Sequence, residues 1–159
     1  MSTPSRKPNV DDLPKERLRL WLKLLKASRS IEDEVRRRLR NNYGSTLPRF
    51  DVLSALDRST DGLKMGEISK LLRVTNGNIT GIVDKLTEDG LALRAPIPGD
   101  RRAHLVRLTQ KGKEVFQNHA LAHESWINDI LSGLDDSDVD GMNLRLDQLN
   151  VALEEVHNA

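Results

Sequence analysis

The order of local patterns in residues 65–109 constrains the fold more than any other part of the chain. Residues 65–74 have the apolar spacing of a short helix, with Ile68, Leu71 and Leu72 predicted to point inward. A second helix follows and ends at Gly90. Two short strands come next, LALRA and AHLVRLT, separated by PIPGDRR. The two prolines argue against a tight two-residue hairpin and favour a projecting loop. Helix, turn, helix and a basic-tipped hairpin is the order of a winged helix-turn-helix.

The flanking residues are helical by pattern. A long helix precedes the pair, and its apolar stripe is broad enough to be buried both within the fold and against a second chain. Gly44 ends it, and Thr46 with Pro48 begins another helix, whose predicted inner face is Phe50, Leu53 and Leu56. Thr109 and Ser137 are the predicted caps of two further helices. We therefore predict a mainly α protein with a small β-hairpin wing, set in an intertwined helical dimer. Its parts are a flexible N-terminal tail (1–14), an N-terminal dimerisation helix (15–43), a winged helix-turn-helix DNA-binding unit (44–112) and C-terminal dimerisation helices (113–159).

The second helix of the pair begins with residues that suit a helix poorly. The stretch TNGNITGIVDKL has two glycines and two asparagines in its first turns, and each glycine costs about 1 kcal/mol relative to alanine. Thr75 is the predicted cap, and the apolar positions 79, 82, 83 and 86 hold the helix to its domain. The residues that face away are Asn76, Gly77, Asn78, Thr80, Gly81 and Lys85.

That outward set suits a DNA-facing surface. Asparagine and threonine hydrogen-bond to base edges and phosphates, and glycine lets the helix start approach a phosphate closely. The amides and dipole at a helix N-terminus favour the same anion. The alternative is that asparagine and glycine merely make a flexible turn.

The tip of the hairpin carries Asp100, Arg101 and Arg102. An arginine on a projecting loop can enter a narrow minor groove, where the potential is most negative. Asp100 is predicted to hold Arg102 extended through a bidentate pair. A surface ion pair of little energetic value is the alternative.

Composition excludes several classes of protein. Without cysteine there are no disulfides or thiolate metal sites, and no apolar run or signal peptide indicates a membrane, so we expect a soluble, cytoplasmic protein. The net charge of +1 conceals +7 over residues 15–49, +5 over 91–113 and −9 over 114–159. Such basic blocks suit a polyanion, and equally an ordinary solvated surface. Enzyme motifs are missing, and five aromatic residues are too few for a single-strand or RNA binder. No cofactor is predicted.

From Met65 through Gly112 the sequence resembles the MarR family of bacterial transcriptional regulators. The likeness lies in the helix-turn-helix spacing and in a wing signature made by Asp100, Arg102, Leu108, Thr109 and Gly112. Asn76 and Gly77 depart from the Ser or Pro that the family often has at the start of the recognition helix. The resemblance implies a homodimer on a pseudo-palindromic DNA operator, usually a repressor that leaves DNA when a small molecule binds between the dimerisation helices and the DNA-binding unit.

The stretch RLWLKLLKASRSIEDEVRRRLRNNYGSTLPRFDVLSAL further resembles the branch of the family linked to breakdown of hydroxycinnamates and other aromatic acids, in which some regulators sense an acyl-CoA. Arginine binds phosphate charges well. The candidate effector residues are Trp21, for the aromatic part, with Lys23, Lys26, Arg29, Arg36, Arg37 and Arg40. A solvated or DNA-flanking basic face explains the same cations.

Two further alternatives concern metal binding and protein docking. His119 and His123 have a spacing that can chelate a metal, but no carboxylates complete a set, and buried or dimer-face histidines are expected instead, with no metal. A winged helix used as a protein-docking module, its basic wing meeting an acidic partner, has the same composition as a DNA-binding regulator.

Overall fold

The computed structural model describes residues 12–73 and 76–159, with Asn76 described by its backbone alone. The predicted tail therefore lies mostly outside the described residues. The chain divides into two compact units, Met1–Ala122 and His123–Ala159. Its helices and strands are α1 Leu13–Tyr43, α2 Leu47–Asp57, β1 Leu63–Lys64, α3 Met65–Leu72, α4 Asn76–Glu88, β2 Ala92–Ile97, β3 Asp100–Leu108, α5 Gln110–Ile130 and α6 Asp136–His157. The predicted mainly α class with a β-hairpin wing is confirmed.

Local chemistry sets the ends of the helices as predicted. Gly44 ends α1 in the left-handed region at φ 59°, and its N–H donates to the carbonyl of Arg40. At the start of α2, the N–H of Arg49 donates to the Thr46 hydroxyl at 3.3 Å. Gly90 follows α4 with φ 75°. The short loops between these helices therefore follow from cap residues that are visible in the sequence.

The core of the first unit lies between α2, α3, α4 and the sheet. Phe50, Leu53 and Leu56 of α2 are buried, as the pattern predicts. From α3 the core takes Ile68, with Leu72 packed at its edge. The sequence also predicts Leu71 to point inward, and this is wrong because its side chain is 63% exposed. The eight residues of α3 place only one narrow face against its neighbours.

The sheet has the strand order β1-β3-β2, with antiparallel pairs throughout. Ile97 pairs with Asp100, so Pro98 and Gly99 alone close the hairpin, and the prediction against a two-residue turn is wrong. Proline supplies the φ of the first turn position, and Gly99 has φ 84°, which the second position of a type II turn requires. Pro96 is tolerated because β2 is an edge strand.

Thr109 and Gly112 join the hairpin to α5. The Thr109 hydroxyl donates to the carbonyl of Gly90 at 2.6 Å and accepts from the N–H of Gly112 at 3.0 Å. A Cβ added at Gly112 would lie 2.0 Å from the carbonyl oxygen of Leu91. The end of the wing signature therefore fixes the start of α5 against the end of α4, and glycine is required for the contact.

In the second unit, α6 has no buried residue. Asp135 caps this helix by accepting from the N–H of Asp138 at 2.9 Å, and Asp138 accepts in return from the N–H of Asp135, so the predicted cap at Ser137 is wrong. Exposed apolar side chains run along α6. They are Val139, Met142, Leu144, Leu146, Leu149, Val151, Leu153 and Val156. Within residues 12–73 and 76–159, no helix is both long and apolar enough to cross a membrane.

Candidate nucleic-acid interface

The second helix of the pair, α4, is sharply two-faced. Ile79, Val83 and Leu86 are fully buried, which attaches one side of α4 to the core. The opposite side is solvent-exposed and consists of Gly77, Asn78, Thr80, Gly81 and Lys85. Asn76 opens the helix, while the predicted cap Thr75 lies outside the described residues. The structure therefore brings the predicted polar residues from Gly77 to Lys85 together on one surface.

The two glycines on this surface leave it open. A Cβ added at Gly77 or at Gly81 would meet no atom within 4 Å. Neither glycine is needed for packing inside the protein, in contrast to Gly112. Their absent side chains expose the helix backbone to whatever approaches from solvent.

The wing arginines lie in an irregular part of the hairpin. Pro96 pairs with His104 and Ile97 with Asp100, so residues 101–103 of β3 have no partner on β2. This bulge places Arg101 and Arg102, both exposed, at the tip of the wing.

Asp100 orders the bulge in a way that the sequence did not predict. Its carboxylate accepts a hydrogen bond from the main-chain N–H of Arg102 at 3.0 Å. That bond is an Asx turn, so the predicted bidentate pair with the guanidinium is wrong for the described structure. The guanidinium of Arg102 is left facing solvent, where an anion can reach it.

Ion pairs fix α4 to its surroundings at two points. Arg94 of β2 pairs with Asp84, which ties the wing to the helix. At the far end, Arg49 of α2 donates to Asp89 at 2.6 Å, and this hydrogen bond lowers the pKa of the Asp89 carboxyl. Lys85 lies 3.7 Å from the same carboxylate. The outward face of α4 is thus held between the wing and the start of α2.

Two cations of this part of the chain were not predicted as site residues: Arg49, which lies beside the outward face of α4, and Arg73, which follows α3. Arg49 is 40 residues away from Asp89 in the chain, and no local pattern pairs them. Arg73 is exposed in the turn after α3 and has φ 54°, the only described non-glycine residue with positive φ. A left-handed arginine costs about 1 kcal/mol or more, so its place in the helix-turn-helix is strained.

The candidate effector residues lie along α1. Trp21 is 55% exposed and is 15 residues from Arg36, about 22 Å along the helix. Arg36 pairs with Glu32 and Asp33, at 3.5 and 3.4 Å. Lys23, Lys26, Arg29 and Arg40 are exposed, and within the described chain they have no ion pair.

Arg37 is also neutralised by an acid on α1. It donates to both carboxylate oxygens of Glu34, at 2.9 and 2.6 Å, and Arg38 shares that carboxylate at 2.7 Å. These hydrogen bonds lower the pKa of Glu34 to about 2, and the carboxylate raises the pKa of Arg37. The basic block of α1 is therefore less cationic on this side than its sequence indicates.

A small cleft lies where α1 meets the DNA-binding unit. It has a volume of about 190 Å³. Its walls are Glu32, Arg36, Leu47, Pro48, Asp51, Leu72, Ile79 and Ile82. The structure therefore brings one of the seven candidate effector residues, Arg36, to a cleft beside α4 that is lined by five apolar residues and two carboxylates.

His119 of α5 is buried under the end of α1. Its ring centroid lies 4.2 Å from that of Tyr43, and its Nδ1 has no hydrogen-bond partner. Burial lowers the pKa of His119, and the nearby charge of Arg49 lowers it further. A neutral, packed histidine is the result, which agrees with the buried alternative in the sequence analysis.

The winged helix-turn-helix geometry agrees with the known proteins to which the chain is similar. Residues 43–103 match the MarR family. The HTH-type transcriptional regulator MhqR of Bacillus subtilis is 28% identical over 89% of this chain and 96% of its own length. A MarR family transcriptional regulator from Silicibacter pomeroyi has a crystal structure with a TM-score of 0.74 and 30% identity, over 89% of this chain and 98% of that one. Streptococcus pneumoniae FabT, solved in complex with DNA, has a TM-score of 0.72 at 21% identity, over 88% and 99% of the two chains. The chain belongs to the MarR family of DNA-binding transcriptional regulators.

Proposed function

We propose that the outward face of α4 enters the major groove of an operator while the wing arginines contact the adjacent minor groove or backbone. The observation that carries this is the open, polar side of a helix whose other side is fully buried. Asn78, Thr80 and Lys85 then contact base edges and phosphates, and Arg101 and Arg102 neutralise phosphate charge. Asn76 and Thr75 are proposed to belong to the same surface on sequence grounds.

The DNA-binding form is proposed to be a homodimer. In α1, Leu18, Leu20, Trp21 and Leu22 are each more than half exposed. In the second unit, α6 exposes apolar residues along its whole length. Both helices match the predicted dimerisation segments, 15–43 and 113–159, and monomeric proteins rarely leave such apolar stripes in water. Two α4 helices about 34 Å apart then fit successive major-groove faces of a pseudo-palindrome.

The regulator is proposed to be a repressor that an aromatic acid, or its acyl-CoA thioester, releases from DNA. Support comes from the cleft beside Arg36, because five of its eight lining residues are apolar and suit an aromatic ring. Arg36 has to exchange its ion pairs with Glu32 and Asp33 for the carboxylate or thioester of the ligand. Its walls include Ile79 and Ile82 of α4, so an occupant touches the helix that contacts DNA. A cleft of about 190 Å³ holds an aromatic ring, and the CoA part of a thioester has to extend along α1. Lys23, Lys26, Arg29 and Arg40 are the cations proposed to receive its phosphates, and Arg37 joins them only by leaving Glu34.

The experiment is a mobility shift at fixed salt on the DNA upstream of the protein's own gene, with and without aromatic acids and their thioesters. Tight binding released by a ligand is the expected result. Arg36→Gln should lose the ligand response and keep DNA binding, whereas Arg17→Gln, a matched change of charge elsewhere on α1, should keep both. Binding that no ligand releases contradicts the effector part alone. If the protein shows no preference among DNA sequences, the result supports the alternative from the sequence, a winged helix that serves as a protein-docking module.

A further inference from the structure

A second cleft lies between the loop joining α1 to α2 and the outward face of α4. Its volume is about 420 Å³. The residues that line it are Gly44, Ser45, Thr46, Arg49, Gly77, Asn78, Gly81, Ile82 and Lys85. It is therefore a part of the proposed DNA-facing surface that the winged helix-turn-helix pattern did not include.

Two cations are held in the walls of this cleft by one carboxylate. Asp89 accepts from Arg49 at 2.6 Å and lies 3.7 Å from Nζ of Lys85. Arg49, Lys85 and Asp89 together carry a charge of +1, and Glu88, 3.6 Å from Lys85, brings the four groups to zero. The attraction for an anion therefore comes from the nearby N–H donors of Arg49 and Lys85, and not from a net charge. Arg49 is mostly buried, with 21% of its side chain exposed, so its guanidinium is fixed in place before any ligand arrives. A guanidinium has five N–H donors, and its bond to Asp89 leaves others for an anion.

The floor of the cleft is open and its wall contains an unused donor. Gly77 and Gly81 lack the side chains that would fill it. The hydroxyl of Ser45 is buried and has no hydrogen-bond partner in the described structure, although buried hydroxyls are normally paired. Ser45 lines the cleft, and an oxyanion bound there would supply the missing acceptor once the Ser45 side chain rotates its buried hydroxyl toward it. The chemistry of the walls thus matches a phosphate group.

We propose that this cleft binds a backbone phosphate of the DNA, held by Arg49 and Lys85 with Ser45 behind them. The inference rests on the proposed function, since DNA must first lie on the outward face of α4. It extends the interface beyond the recognition helix and the wing, to the start of α2. DNA is the inferred source of the phosphate because the cleft opens on the same side of α4 as Asn78.

The test compares Arg49→Gln with Arg58→Gln. Both changes remove one arginine charge from the two ends of α2, and Arg58 is exposed and bonds only to Ser54, at 2.9 Å, among the described residues. The probe is the duplex upstream of the protein's own gene, with the dissociation constant measured against salt concentration. Arg49→Gln should flatten the logarithmic salt slope by about 0.9 for each protomer on DNA, and Arg58→Gln should follow the wild type.

Arg49→Gln also removes the ion pair with Asp89, and this loss can itself affect folding. A second variant therefore tests the cleft without breaking that ion pair. Ser45→Ala removes a hydroxyl that has no partner, so its melting temperature should equal or exceed that of the wild type. Its affinity for the duplex should still fall about tenfold. The inference is overturned if Arg49→Gln and Ser45→Ala both fold and both bind the duplex with the affinity and salt slope of the wild type.

Inorganic phosphate distinguishes the DNA backbone from a free anion. One outcome would overturn the DNA assignment: phosphate protects the wild type, but not Arg49→Gln, from thermal unfolding, while both proteins give the same salt slope on DNA. In that case the cleft is a site for a small free anion. If the wild type binds no DNA, the proposed function itself fails. These outcomes distinguish a failure of the phosphate site from a failure of DNA binding itself.

Discussion

Replacing Gly81 with alanine separates the stability of α4 from its proposed contact with DNA. An added Cβ meets no protein atom within 4 Å, and alanine favours a helix over glycine by about 1 kcal/mol. For a chain of this length that gain raises the melting temperature by about 2–4 °C. A DNA atom in van der Waals contact with the bare glycine would instead collide with the methyl group, so α4 must withdraw. Losing one close charged contact costs about 1.5–3 kcal/mol, a factor of ten to a hundred for each half-site.

The assay pairs thermal unfolding with DNA titration by mobility shift at one salt concentration. Gly141→Ala is the matched control, because Gly141 is an exposed helical glycine with no atom within 4 Å of its added Cβ. On α6 it lies about 100° around the helix from Met142 but only about 60° from Leu144, so the oligomeric state of this control is measured as well. We expect both variants to be stabilised and Gly81→Ala alone to lose DNA affinity. Full affinity in a stabilised Gly81→Ala protein would refute the close approach of DNA to this part of α4.

Further substitutions test the division of roles between the wing and α4, the packing of Gly112 and the burial of His119. Arg102→Ala should weaken binding to every duplex by about 1–3 kcal/mol and flatten its salt slope, whereas Asn78→Ala should relax base preference at one operator position; equal behaviour in a competition titration would contradict this division. Gly112→Ala should lower the free energy of unfolding by about 3 kcal/mol in denaturant titration, since its Cβ meets the Leu91 carbonyl at 2.0 Å. Burial lowers the pKa of His119, so the folded state resists its protonation and stability should fall as pH drops below about 6.5; His119→Gln should remove that fall, before the carboxylates titrate.

The features that sequence predicted well are those that depend on a few neighbouring residues. Gly44, Thr46 and Gly90 mark helix ends because cap geometry needs their particular backbone freedom or hydroxyl group. The buried side of α4 followed from the spacing of Ile79 and Val83. The same periodicity failed at Leu71, since a short helix presents apolar residues to both core and solvent and spacing alone does not rank them.

The features that sequence could not predict depend on which distant segments meet. Arg49 and Asp89 become neighbours only when the start of α2 packs beside the end of α4. In the wing, the choice between a long loop and a two-residue turn was decided by the bulge after Pro96, which absorbs the extra residues of β3. Gly112 could be seen as part of a signature, but the backbone contact that explains it requires the packed chain.

The poor helix start of α4 is tolerated because the two sides of this helix have different tasks. Gly77 and Gly81 together cost about 2 kcal/mol of helix stability. Fully burying Ile79, Val83 and Leu86 stabilises the folded state by about 1.5–3 kcal/mol for each side chain, which exceeds that cost. The inward side of α4 therefore maintains the fold, and the outward side is free for the DNA contacts that we propose. Substitutions on the outward side should consequently change which operator is bound while the fold persists, and substitutions on the inward side should abolish binding to all operators together.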